Sequence, residues 1–140
     1  LLLGADLVLR PGVDDVAARI AEVCRPLGLD VVFECAGIPA TIQQSVELVR
    51  RGGIVSLVGL ASAKAEIDPA SWLVKEVRFV ASLGYLHEEF DLAMALIAAG
   101  RIRVAPLRTS TVGLDQLDAA FAKLAKPAGE VKILVDPRRS

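Results

Sequence analysis

Residues 30–60 read DVVFECAGIPATIQQSVELVRRGGIVSLVGL, and their spacing decides the fold. Asp30-Val31-Val32-Phe33-Glu34-Cys35 is a short apolar run of strand-forming residues that stops at Ala36-Gly37. Ile54-Val55-Ser56-Leu57-Val58 is a second, and it stops at Gly59. Near-continuous apolar strands are what a parallel sheet covered on both faces requires. Between them Ile42, Val46 and Val49 recur at i, i+4 and i+7, which is one face of a helix. Pro39 suits the first turn of that helix, and Gly52 suits the position just past its end. Strand, helix and strand within about thirty residues make a βαβ unit, whose crossover is right-handed.

Gly37 and Gly59 fall at the carboxyl ends of the two strands. Ligands of open α/β sheets bind in the crevice outside those ends. A residue without Cβ there lets a flat ligand approach the backbone. The same glycines could simply turn the chain, and the residues leave both readings open. Glu34 is an acid inside an apolar strand, so its head needs a partner. A structural hydrogen bond accounts for it better than catalysis does.

Working outward, Leu1–Leu3 read as the last turn of a helix stopped by Gly4, and Asp6–Leu9 as a short strand. Val13, Val16, Ile20, Val23 and Leu27 recur at helical spacing, with Asp14 and Asp15 favourable to the helix start. Pro26 and Gly28 end that helix. Beyond Leu60, residues 67–70 lead into a short helix through Trp72, and Arg78–Leu83 read as the next strand, stopped by Gly84. His87–Ala99 is amphipathic, with Phe90, Met94 and Ile97 in step and Gly100 as the cap. Val104–Val112 reads as extended. Leu114, Leu117, Phe121 and Leu124 mark a further helix. Pro127 and Gly129 turn the chain into a last strand, Glu130–Val135. His87 most simply begins a surface helix.

The 140 residues are one domain's worth or part of one, and the chain opens on Leu, as part of a longer protein would. Hydrophobic content of 54% with 24% charged residues describes a globular chain. A net charge of −1 argues against nucleic acid and anionic membrane as partners. No run is long and apolar enough to span a bilayer, and Leu-Leu-Leu lacks the length and basic flank of a signal peptide. Cys24 and Cys35 read as reduced core residues of a cytoplasmic protein. With His87 as the single histidine and no CxxC or HxxxH pair, no metal site is legible.

Seven motifs then follow one another in a familiar order: GADLVL (4–9), GLDVVFECAG (28–37), LVRRGGIVSLVGL (48–60), KEVRFVASLGY (75–85), AAGRIRVAPLRT (98–109), LDQLDAAF (114–121) and GEVKILVD (129–136). Together they resemble the carboxyl-terminal portion of the medium-chain dehydrogenase/reductases, the zinc-type alcohol dehydrogenase superfamily. The wording is nearest to polyol, threonine and butanediol dehydrogenases. The resemblance implies an α/β fold, a partial doubly wound parallel sheet (Rossmann-like) lacking its first βαβ unit. Residues 1–140 would be the carboxyl-terminal part of a nicotinamide-dinucleotide-binding domain plus the family's last helix and strand. The catalytic domain, its zinc and its proton relay would precede Leu1, so no catalytic or metal residue is assigned in this chain. The Gly-rich phosphate loop is also absent, since Gly52-Gly53 precedes a strand and has the wrong spacing.

What the resemblance carries over is a cofactor wall for NAD or NADP. Cys35, Ala36 and Gly37 would line the ribose and adenine side. Val58, Gly59 and Leu60 would meet the nicotinamide carboxamide with backbone groups, and Ser82 and Leu83 would do the same from the next strand end. Lys132 would reach the pyrophosphate, where a point charge fits a diphosphate; it reads equally well as a solvated edge residue, and Ser82 as a core serine. The implied activity is hydride transfer between the nicotinamide and a small-molecule alcohol or ketone, in a homo-oligomer joined through the sheet edge, Arg78–Leu83. A zinc-independent quinone or enoyl reductase of the same superfamily, and a non-catalytic remnant or dimerisation module, are the alternatives. In the family's strand order, 3-2-1-4-5-6, this chain would hold strands 3, 4, 5 and 6. Asp6–Leu9 would then lack a neighbour, and Val31–Glu34 would show a bare edge open to strand addition.

Overall fold

Pro39 and Asp68 set the two helices that flank the central strand. The computed structural model describes residues 2–24, 26–126 and 129–139, and divides into two units, Val8–Gly84 and Leu1–Leu7 with Tyr85–Ser140. In the first unit, α1 (Val16–Val23) is capped by Asp15, whose carboxylate accepts from the Ala18 N–H at 3.0 Å. Gly28, at φ +85°, turns the chain into β1 (Leu29–Glu34). Then come α2 (Pro39–Leu48), β2 (Val49–Leu57), α3 (Pro69–Lys75) and β3 (Arg78–Ala81). Pro stands in the first turn of both α2 and α3, where its absent N–H costs nothing, and Asp68 caps α3 by accepting from Ala70.

The three strands are parallel in the order β1-β2-β3. Val32, Val55 and Phe79 are register partners across them, and they form one row of side chains. That row meets Val46 of α2 and Trp72 of α3 in a core centred on Val46, Val49 and Val55. Trp72 stacks on Phe79 with ring centroids 5.0 Å apart, and its Nε1–H donates to Gln43 Oε1 at 2.9 Å. The neighbouring row, Phe33, Ser56 and Val80, points to the other face, where Phe33 is 67% and Val80 50% exposed. The apolar strands are therefore covered on one face, not on both as their composition predicts. Val31–Glu34 does present a bare edge among the described residues, as expected, because β1 pairs only with β2.

The helix–strand boundary after α2 departs from expectation. The helix ends at Leu48 and not at Gly52, and Val49 is already extended at φ −69°, ψ 145°. Val49 stays buried, but as the first residue of β2. The end of α2 needs no glycine because Lys75 closes it: its ammonium donates to the carbonyls of Val46 (2.9 Å), Glu47 (2.6 Å) and Val49 (2.9 Å). Gly52, at φ +68°, lies in an irregular part of β2, where pairing steps from Leu29↔Val49 to Val31↔Ile54. Beside it Arg51 pairs with Glu76 past the end of α3; that hydrogen bond and the opposite charge hold the guanidinium above its usual range.

In the second unit Leu2 and Leu3 form a turn, while Leu1 lies outside the described residues. Asp6–Leu9, which the boundary between the units divides, forms no strand among the described residues, since no partner strand lies beside it. The second unit continues with α4 (His87–Ala98), whose start is closed by Glu89 accepting from the Leu86 N–H. The predicted extended segment 104–112 instead begins as a 3-10 turn at Ala105–Leu107, where Pro106 fixes φ, and only then becomes β4 (Arg108–Val112). A second 3-10 turn, Leu114–Gln116, leads into α5 (Leu117–Leu124), and β5 (Lys132–Val135) pairs in parallel with β4. Pro127 lies outside the described residues. No described helix is long and apolar enough to cross a membrane.

Candidate functional site

The carboxyl ends of β1, β2 and β3 bring together eight of the nine residues singled out from the sequence, and Glu34 organises them. It is the last residue of β1 and 3% exposed. Its carbonyl accepts from the N–H groups of both Val58 (2.9 Å) and Gly59 (2.8 Å). Its carboxylate turns back over its own loop, where Oε1 accepts from Ala36 N–H at 2.9 Å, Gly37 N–H at 3.1 Å and the Thr41 hydroxyl at 2.7 Å. A buried carboxylate is costly unless donors surround it, and backbone N–H groups are strong donors to a charged acceptor. Glu34 is thus the hydrogen-bonded acid the sequence implies. Thr41, which also lies 2.6 Å from the Ile38 carbonyl, stands in the first turn of α2 and ties that turn to the same carboxylate.

The two glycines have a use that neither sequence reading contained. Gly37 is left-handed at φ +65°, and a Cβ there would lie 2.8 Å from the Leu60 carbonyl oxygen. A Cβ on Gly59 would lie 2.3 Å from the Gly37 nitrogen and 2.7 Å from Glu34 Oε2. The absent side chains let the loops after β1 and β2 lie backbone against backbone, as one wall.

That wall has a definite chemistry. Its N–H groups at Ala36, Gly37, Val58 and Gly59 are all spent on Glu34, and the Ser82 N–H donates to the Leu57 carbonyl at 2.9 Å. The carbonyls of Val58, Gly59 and Leu60 accept no hydrogen bond from any described residue. Beside them Val58 is 47%, Leu60 83% and Leu83 90% exposed. The strand ends therefore offer free acceptors next to apolar side chains, a surface suited to a flat ring carrying an N–H donor.

Cys35 is exposed and Cys24 half-buried, and both are free thiols, so the expectation of two core cysteines is corrected. Cys35 continues the alternation of Val31 and Phe33 onto the uncovered face of the sheet. Ser82 is exposed too, which removes the reading of a core serine. Lys132 belongs to the second unit. It is exposed on β5, register partner of Arg108 on β4, and both border a cavity of about 440 Å³ lined by Val104, Leu107 and Leu134. Among the described residues neither cation has an acidic partner. Like charges at partner positions repel, so the pair suits an anion. Sequence reading missed Arg108 because only the β4–β5 register places it beside Lys132. His87 starts α4 and is 86% exposed in its side chain, 3.6 Å from Asp91, as a surface residue should be.

No group of three or more His, Cys, Asp or Glu among the described residues could hold a metal ion, so these residues do not fit a zinc site. A concavity of about 490 Å³ lies at the opposite, amino-terminal end of the strands, among Ile20, Cys24, Leu27, Leu48 and Lys75. It lies beside α1, none of whose residues is fully buried.

The sequence model of the zinc-binding dehydrogenases matches residues 1–99. The chain is 34% identical over 136 residues to the (R,R)-butanediol dehydrogenase of Bacillus subtilis, covering 96% of this chain and 39% of that enzyme. The solved 2R,3R-butanediol dehydrogenase of B. subtilis superposes with a TM-score of 0.83 at 32% identity, over 94% of this chain and 38% of its own. A Sinorhizobium meliloti protein, titled a zinc-binding dehydrogenase and solved bound to NADP, superposes with a TM-score of 0.81 at 35% identity, over 96% of this chain and 40% of its own. The chain thus spans two-fifths or less of the length of these relatives.

Proposed function

This chain belongs to the zinc-binding dehydrogenase family, and from that premise we propose that it is the carboxyl-terminal part of an NAD(P)-dependent dehydrogenase acting on the CH–OH group of a secondary alcohol or polyol. In this reading residues 1–140 complete the cofactor domain, and zinc is held by a part of the protein outside this sequence. A bound nicotinamide supplies the hydride acceptor or donor; this chain orients it.

The observation that carries the reading is the row of carbonyls at Val58, Gly59 and Leu60, which accept from no described residue, beside exposed Val58, Leu60 and Leu83. The carboxamide NH₂ of a nicotinamide is a donor that such carbonyls satisfy, and the apolar side chains pack its ring face and exclude water. Cys35, Ala36 and Gly37 then line the ribose, and Ser82 and Leu83 close the nicotinamide side. Lys132 and Arg108, on the second unit, form a pair of cations suited to an anion such as a diphosphate. The relative solved with NADP supports this choice of ligand. The outer edge of β3, unpaired among the described residues, is where a second copy would join.

The test is NADH and NADPH titration of the full-length protein by nicotinamide fluorescence. Saturable binding is expected, weakened when Leu60 or Leu83 is changed to Asp. Absence of binding for both nucleotides overturns the reading.

A further inference from the structure

Resting on the reading of the strand-end loops as a cofactor wall, we propose that Glu34 is the positioning residue of that wall, a buried carboxylate that fixes the spacing of both loops without reaching the ligand. Three observations converge on it. First, its chemistry is out of place for stability alone: apart from Asp30, which is exposed and paired with Arg50, β1 is an apolar strand, and a buried acid at its end costs more than the valine the strand would accept. Second, its bonds run in two directions. The carboxylate holds the Ala36 and Gly37 N–H groups and the Thr41 hydroxyl, while the carbonyl holds Val58 and Gly59. Third, the carboxylate head lies beside the second loop, because Oε2 stands 2.7 Å from where a Gly59 Cβ would be.

No other described residue is bonded to both loops in this way. Shifting Glu34 shifts the Gly37 turn directly and the Val58–Leu60 carbonyls through the backbone contact between the glycines. A ligand that spans both loops reads their separation, so its affinity and the surroundings of its ring follow Glu34. Cofactor sites are sensitive to errors of this size, since a misplacement of about 1 Å can cost on the order of a hundredfold.

The experiment compares the full-length protein with its Glu34→Ala, Glu34→Gln and Thr41→Val variants in NADH titration, bound-NADH emission spectra and thermal melting. Glu34→Ala is expected to weaken NADH about tenfold and to move the bound emission toward that of free NADH. Glu34→Gln, whose amide oxygen still accepts from Ala36 and Gly37, should recover part of both. Thr41→Val, which removes one donor, should weaken NADH by about threefold. If Glu34→Ala does not fold, Glu34→Gln and Thr41→Val carry the comparison. A residue that serves stability alone would lower melting and leave affinity and emission unchanged in the folded variants; that result overturns the inference while the cofactor reading stands. Failure of the unaltered protein to bind NADH or NADPH instead removes the reading beneath it.

Discussion

A single methyl group separates Gly59 from alanine, and the space it would need is filled by backbone. The Cβ of Gly59→Ala would press on Gly37 nitrogen and Cα, neither of which can swing aside. The expected loss is about 2–3 kcal/mol, as for overpacking of a rigid site. Gly84 is the control: nothing lies within 4 Å of its Cβ position, but φ is +68°, so Gly84→Ala should lose only the conformational cost, about 1 kcal/mol. Urea midpoints of the two variants measure the difference, and equal losses would refute the contact as the reason. At this scale the sequence showed where glycine stood but not why, because the two loops meet only once β1 and β2 are in register. Glu34 was legible as a bonded acid, since an acid in an apolar strand must find donors. Cys35 was misread because its burial depends on which face of the sheet is covered, and composition does not say.

Between elements, the junction at Leu48–Val49 is where pattern and structure part. Periodicity places Val49 on the buried face of a helix; as the first residue of a strand it is equally buried, so spacing cannot separate the two. What decides is Lys75, which reaches from the last turn of α3 to three carbonyls at the end of α2. A cation at a helix carboxyl end also meets the negative end of the helix dipole. Lys75→Met keeps the stem and removes the ammonium, and should cost about 1–2 kcal/mol in chemical denaturation, since three carbonyls, two of them in part-buried bonds, lose their donor. A loss near zero would mean that water caps α2 as well as lysine does. The strands themselves were legible, because Val31–Glu34, Ile54–Leu57 and Arg78–Ala81 lie within apolar runs closed by glycine.

For the whole chain, accessible area measures how much of the core is present. The 140 residues expose 10825 Å², whereas even two separately compact units of this combined mass would expose only roughly 8,400 Å². Phe33 and Val80 on the open sheet face, and Phe90, Leu92 and Met94 on α4, account for part of the excess. With the bare β1 edge, this predicts that the 140-residue chain on its own is poorly stable or self-associates. Calorimetry and sedimentation check it, and a cooperative transition of a monomer would contradict it. The doubly wound class was legible in the run of motifs. The uncovered face was not, because strands apolar on both sides imply a cover without providing it.

Glu34 gives its carbonyl to two donors at once, Val58 and Gly59. An opening of the strand ends that withdraws this carbonyl frees both amides to exchange their hydrogens with solvent at once. The loop after β2 therefore keeps one clock instead of two, and what slows one of its amides slows its neighbour.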